Sequence, residues 1–388
     1  MKVKLDSFLQ EIRDKTTDND QYPVLTSSKA GLFLQSDYFN KQVASKDNTG
    51  YKIIRRGQFT YRAMSDTGEF FPNMLECTDI GIVSPAYPVF EITNPEIVLP
   101  EFLKYFFKSD SFQHAIATFA QGSTRTSVKF GKLKSVFINL PSIAEQYRIV
   151  EVLDRSKAII AGREEELKKL DNLIKARFVE MFGNPDINEK KWNEYKMEQL
   201  CEVGSSKRIY QNDQSLTGIP FLRISDLVNR MDTGSKDCDL FIPEELFGKL
   251  KKQGVVPVSG DILLTARGTL GRCYIIQDED EFYFQDGMIT WLSKYDERIT
   301  PLYISYLFEM PGFRKQIDSL QAGSTVAYLS ISMTKKLNVM TPPIELQEQF
   351  SDFVKQVDKS KVVELIVKNM SLLLHSGLDI LIIREVMR

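Results

Sequence analysis

The sequence predicts an α+β protein of two pseudo-twofold-related globular domains, separated by two long antiparallel coiled-coil-like helices. Three observations carry this. A set of residues recurs at a fixed offset of 201 positions, two long stretches place an apolar residue at every seventh position, and the segments between them alternate short apolar runs with turn-forming clusters.

The repeat is visible in "AQGSTRTSVK" (Ala120 to Lys129) and "QAGSTVAYLS" (Gln321 to Ser330), where Gly122-Ser123-Thr124 falls on Gly323-Ser324-Thr325. The same offset carries Pro100 onto Pro301, Tyr105 onto Tyr306, Phe112 onto Phe313, Pro141 onto Pro342, Ile143 onto Ile344 and Gln146 onto Gln347. A period this long describes two copies of a whole domain, because solenoids and propellers repeat over much shorter distances.

Residues 1–143 form the first domain. Runs such as "YKIIRRGQFTYR" between the clusters "SKDNTG" and "SDTGEFFPN" describe short strands and turns. One internal helix is expected over "PEFLKYFFKSDSFQHAIATFA", where Leu103, Phe106, Phe107, Ile116 and Phe119 recur at helical spacing.

Residues 144–183 form the central spacer helix. Leu153, Ile160, Leu167, Ile174 and Met181 lie seven apart, which is a coiled-coil seam. Ser142 is the expected N-cap, and Gly183 followed by Pro185 ends the helix. At about 1.5 Å per residue, Ala144 to Phe182 extends roughly 58 Å.

Residues 184–343 repeat the plan. "KWNEYKMEQLCEVGSSKRIYQNDQSLTGIPFLRISDL" and "GDILLTARGTLGRCYII" describe strands and turns, and "PLYISYLFEMPGFRKQIDSL" the matching internal helix. The C-terminal spacer helix, 344–388, keeps Leu346, Phe353, Val367, Leu374 and Leu381 in a seven-residue register, with Ser360 as the polar interruption. Neither helix can bury its stripe alone, so the two are expected to pair, antiparallel; the plainer alternative is that each is an ordinary amphipathic helix packed on its own domain.

Composition narrows the class. The 388 residues are 43% hydrophobic, enough for real cores, and a net charge of −2 gives no global basic signature. No apolar run approaches the roughly 18 residues of a membrane span, and "MKVKLDSFLQEIRDK" lacks the apolar core of a secretory signal. A cytoplasmic location without membrane partners is therefore expected. Cys77, Cys201, Cys238 and Cys273 lie far apart with no C-x-x-C pair, and the histidines are His114 and His375 alone. Buried, unpaired thiols are expected, with neither a metal site nor a disulfide framework.

"LPSIAEQYRIVEVLD", "RFVEMFGNP", "TPPIELQEQF" and the duplicated "GST" turns together resemble the specificity subunit of type I restriction-modification systems. The likeness covers essentially the whole chain and rests on order as well as motif: variable domain, "P-x-x-x-x-Q" helix, variable domain, "P-x-x-x-x-Q" helix. It implies that each globular domain is a target-recognition domain reading half of a bipartite site in double-stranded DNA. The helices would then act as spacer and as seat for two methyltransferase subunits, joined for cleavage by two restriction subunits. S-adenosylmethionine, ATP and Mg²⁺ would be used by those partners, and no cofactor by this chain. The second turn departs from the first, reading "GSTVAYL" where the first reads "GSTRTSV", so a contact by Arg125 does not transfer to Val326.

DNA is held largely through phosphates and read through base edges by Arg, Lys, Asn and Gln. Candidate DNA-binding residues are accordingly Lys29, Arg55, Arg56, Tyr61, Arg62, Ser123, Thr124, Arg125 and Lys129 in the first domain. In the second they are Lys207, Arg208, Arg223, Arg267, Arg272, Ser324 and Thr325. "TARGTLGR" is the most attractive stretch, since Gly268 and Gly271 permit close backbone approach while Arg267 and Arg272 supply charge. Each basic side chain also has a plain reading as a solvated surface charge, and Arg55 and Arg56 would point to opposite faces of one strand. The candidate helix-pairing residues are Leu153, Ile160, Leu167, Ile174, Phe353, Val367, Leu374 and Leu381.

Catalysis by the chain itself is not expected. "NPE" at Asn94 and "NPD" at Asn184 lack the second proline and aromatic of an adenine methyltransferase, and neither G-x-G-x-x-G nor G-x-x-x-x-G-K-[ST] occurs. Asp186, Glu189 and Lys191 lie within one linker turn, too close to form a nuclease centre. A coiled-coil adaptor without nucleic acid would explain the helices but leave two large domains idle.

Overall fold

The computed structural model describes residues 1–38, 47–119, 126–321 and 327–360. They divide into two compact units, whose described parts are residues 1–165 and 166–360. The expected boundaries at 143 and 183 mark the helix ends. The units instead break in mid-helix, because each half of the helix is buried on its own neighbour.

The two units share one framework. In the first, a four-stranded antiparallel sheet runs Leu9–Ile12, Val89–Ile92, Phe59–Thr60, Asn73–Met74. In the second the same order is filled by Glu202–Gly204, Ile289–Ser293, Ile262–Thr265, Cys273–Ile275. A two-stranded clamp closes each unit: Lys2–Lys4 pairs antiparallel with Phe137–Asn139, and Asn193–Lys196 with Asn338–Thr341. Alternation explains the central strands only partly, since Ile262 to Thr265 are all buried, as expected of a strand covered on both faces.

Each internal helix is two helices. The first breaks into Pro100–Phe106 and Asp110–Ala117, because the Ser109 side chain caps the second helix by accepting from Phe112 N. Its counterpart breaks into Pro301–Glu309 and Pro311–Leu320, because Pro311 lacks the amide that would continue the first and suits the opening turn of the second. The second unit also carries helices Ile224–Thr233, which opens inside a stretch expected to be strands and turns, and Glu244–Lys252.

The long helix spans Ile143–Phe182, 40 residues, close to the expected bounds. Ser142 caps it, its hydroxyl accepting from Glu145 N at 3.3 Å, and Gly183 ends it at φ +83°. Ile149 and Leu153 are buried in the first unit's core, while Ile174, Phe178, Met181 and Phe182 are buried in the second unit's. Ile160 and Leu167, midway along the seam, are half-buried.

In the second unit the closing helix, described over 344–360, lies against the end of the long helix. Phe182 and Phe178 meet Phe350 with ring centroids 5.4 and 5.5 Å apart, and the Arg177 guanidinium lies 5.8 Å from the Phe353 ring. Falling numbers on one helix meet rising numbers on the other, so the pair is antiparallel. The buried line is Phe350, Val354 and Val357, whereas Phe353 is only half-buried. The seven-residue count through Phe353 followed the flank of that line. Val367, Leu374 and Leu381 lie outside the described residues.

Among the described residues no helix is long and apolar enough to cross a membrane, and no cluster of three His, Cys, Asp or Glu could hold a metal. All four cysteines are free thiols. Cys201 is buried as expected, but Cys77 is exposed, in the turn after the Asn73–Met74 strand.

Candidate nucleic-acid interface

Each unit carries an open groove beside the end of one central strand. In the first unit the groove, about 760 Å³, is lined by Ser27, Ser28, Lys29, Arg62, Ser65 and Thr67, by the carboxylates Asp66 and Glu69, and by Gln35, Tyr51 and Met64 among others. In the second, about 590 Å³, it is lined by Arg208, Arg223 and Arg267 with Gln211, Gln214 and Gln285. Arginine and glutamine are the side chains whose forked donors and acceptors match guanine and adenine edges in the major groove.

The same local construction supports both grooves. In the first unit Val128 N donates to Ala63 O at 3.0 Å, and Thr126–Ser127 pairs antiparallel with Met64–Ser65. In the second Leu329 N donates to Ala266 O at 3.0 Å, and Tyr328 bridges antiparallel to Arg267. The segment just after each "GST" turn thus pins the turn that lines the groove. Ser123, Thr124, Arg125, Ser324 and Thr325 themselves lie outside the described residues.

The sequence-derived candidates separate into three groups. Lys29 and Arg62 share the first groove, and Arg208, Arg223 and Arg267 the second. Several of these are held by carboxylates of their own unit: Lys29 by Glu69 (3.1 Å), Arg208 by Asp286 (2.8 Å), Arg223 by Asp226 (3.0 Å) and Asp239 (3.4 Å). Arg62 stands 3.7 Å from Asp66. Arg267 instead lays its guanidinium over the Tyr328 ring, 5.2 Å from the centroid, and has no carboxylate partner among the described residues.

A second group is exposed but does not line these grooves. Arg55 pairs with Asp14 (2.8 Å) and Arg56 with Asp79 (2.7 Å). Their expected opposition on one strand does not arise, because the strand ends at Arg55 and the chain turns at Gly57, φ +86°. Lys129 is the exposed N-cap residue of the short helix Phe130–Leu133. Lys207 donates from its ammonium to Gln253 Oε1 at 2.7 Å, while its backbone N–H donates to Tyr283 Oη at 2.7 Å.

Two candidates are corrected. Tyr61 is fully buried in the first core and donates to Val128 O at 3.0 Å; burial, reinforced by the Glu11 carboxylate, pushes its phenol far above the usual range. Its inward position follows from strand alternation, since it continues the line of Phe59. Arg272 does not act beside Arg267. The turn closes on itself, with Gly271 N donating to Thr265 O and Arg272 N to Thr265 Oγ1, and this sends Arg272 to a separate groove, paired with Asp232 at 2.6 Å.

Residues missed in the sequence are Gln35, Gln211, Gln214 and Gln285, together with Met64. A search for positive charge passes over neutral side chains, and nothing in their local spacing marks them.

Residues 7–170 and 189–366 each match the family described as the type I restriction modification DNA specificity domain. The chain is 27% identical over 238 residues to a provisionally named type I restriction enzyme specificity subunit of Haemophilus influenzae, covering 60% of this chain and 58% of that one. It is 23% identical over 292 residues to the EcoKI specificity subunit of Escherichia coli K12, covering 69% of this chain and 60% of that one. The matched stretch is therefore under two thirds of either relative's length. The fold is similar to that of the crystal structure of a type I restriction-modification S subunit from M. genitalium, with TM-score 0.53 and 15% identity over 100% of this chain and 94% of that one. With the family's domain matched twice over most of its length, and with one framework built twice, the chain belongs to the type I restriction modification DNA specificity family.

Proposed function

We propose that this chain is the non-catalytic DNA-reading subunit of a type I restriction-modification complex. Each unit reads one half of a bipartite site in double-stranded DNA. The long and closing helices serve as spacer and as seat for two methyltransferase subunits, with two restriction subunits joining for cleavage. S-adenosylmethionine, ATP and Mg²⁺ belong to those partners, and the assembly works in the cytoplasm.

One observation carries this reading: the same groove, pinned by the same pairing after each "GST" turn, occurs in both units but is lined by different polar side chains. A duplicated frame with divergent lining suits two readers of unlike half-sites. The test is to assemble the chain with its methyltransferase partner and sequence the methylated adenines. Exchanging residues 184–343 for those of a relative is expected to alter one half of the motif and leave the other. A change in both halves contradicts independent reading, and robust methyl transfer by this chain alone contradicts its non-catalytic role.

A further inference from the structure

Met64 and Arg267 occupy one structural position in the two units. Each directly follows the alanine, Ala63 or Ala266, whose carbonyl accepts from the strand after the "GST" turn, at 3.0 Å in both cases. Each pairs with the residue one before that donor, Ser127 or Tyr328, which are themselves related by the 201-residue offset. Each lines the groove of its own unit. Backbone hydrogen bonds fix both positions, so the frame is held while the side chain is free to differ.

The two side chains are unusual for where they stand. Met64 is 45% exposed, a large apolar group facing water in a groove it shares with Lys29, Arg62 and Glu69. Arg267 is exposed, backed by the Tyr328 ring, and free of the carboxylates that hold Arg208 and Arg223 in the same groove. A guanidinium braced on an aromatic face keeps its forked donors outward and loses little freedom on binding.

From this juxtaposition, and resting on the DNA-reading function above, we propose that position 64 of the first unit and position 267 of the second are the corresponding base-reading positions. Arg267 reads a guanine through O6 and N7, and Met64 reads a thymine through its C5 methyl. These are the base-edge features that match a planar double donor and an apolar side chain in the major groove. The neighbouring Arg208 and Arg223, already engaged by carboxylates, serve the backbone or the groove wall.

The test uses the full chain and a randomised duplex DNA library, selected by binding and sequenced. Wild type is compared with R267M, R267K and M64R, each checked for unchanged thermal unfolding. Both positions are exposed, so folded variants are expected. R267M should relax selection for G at one position of one half-site by roughly tenfold to a hundredfold, leaving the other half-site unaltered. R267K should keep affinity but select G less sharply, and M64R should change one position of the opposite half-site. An unchanged consensus for R267M and M64R overturns the assignment while leaving the DNA-reading function intact. So does a uniform loss of affinity across all sequences with a shallower salt dependence, the mark of a phosphate contact. If wild type enriches no sequence at all, the assignment and the reading beneath it both fall.

Discussion

Gln146 and Gln347 make the same three hydrogen bonds, one set in each unit. Gln146 Nε2 donates to Ile97 O (2.8 Å) and Pro141 O (3.0 Å), and its Oε1 accepts from Leu99 N (2.9 Å). Gln347 Nε2 donates to Arg298 O (2.9 Å) and Pro342 O (2.8 Å), and its Oε1 accepts from Thr300 N (2.9 Å). Both side chains are fully buried, and every partner is related by the 201-residue offset. The glutamine of the "P-x-x-x-x-Q" motif is thus a joint, tying the first turn of the long or the closing helix to the loop ahead of the Pro100 or Pro301 helix.

Replacing either glutamine by alanine strands a buried amide and two carbonyls. Each unpaired buried group costs about 1–3 kcal/mol, so Gln146→Ala and Gln347→Ala should each destabilise by at least about 2 kcal/mol. Denaturant unfolding of both variants measures this, and a loss below about 0.5 kcal/mol in either contradicts the joint.

Tyr61→Phe separates a core role from an interface role. Losing one buried donor to Val128 O should cost about 1 kcal/mol, while DNA affinity and its salt dependence stay as in wild type. A reduced salt slope in a folded Tyr61→Phe protein argues that the residue reaches DNA after all.

Arg272→Ala should behave unlike Arg267→Ala. Arg272 holds Asp232 at the surface in a pair worth about 1 kcal/mol at most, and its groove is not the one that gathers Arg208, Arg223 and Arg267. Filter binding across a salt series should show wild-type affinity for Arg272→Ala and a weakened Arg267→Ala; equal losses would restore the two as neighbours on DNA.

Arg230 and Asp280 form a buried pair in the second unit, with side chains 6% and 1% exposed and 2.9 Å apart. Tyr274 Oη also donates to Asp280, and the Arg230 guanidinium lies over Phe282. Removing one partner leaves the other charge buried, so Arg230→Ala should cost roughly 3–5 kcal/mol. A melting shift of under 2 °C would mean that water relieves the charge.

Burial pushes the Cys201 thiol up from 9.0 to about 12. Its folded state stays protonated where the unfolded chain ionises, so this contribution to stability is complete below about pH 9 and is lost as pH rises toward 12. At pH 8 an alkylating reagent should modify exposed Cys77 quickly and Cys201 only on unfolding. Mass mapping of the alkylated peptides checks the order, and early labelling of Cys201 contradicts its burial.

The duplication, the long helix and its ends were determined by the sequence alone, because they rest on local chemistry. Ser142 caps, Gly183 takes a positive φ, and Pro100 and Pro301 each open a helix. The breaks at Ser109 and Pro311 were written in the same chemistry, but an apolar stripe continuing across each joint hid them. Only the tertiary structure decided which arginines are available. The carboxylates that engage Arg55 and Arg272 lie 41 and 40 residues away in sequence, so no local pattern marks them as taken. The same holds for the grooves: Gln35 comes to line one with Arg62, and Gln211 another with Arg267, although each pair is far apart along the chain. Neighbours along the chain such as Arg267 and Arg272 are meanwhile sent apart by one closed turn, since backbone hydrogen bonds, and not spacing, fix where a side chain points.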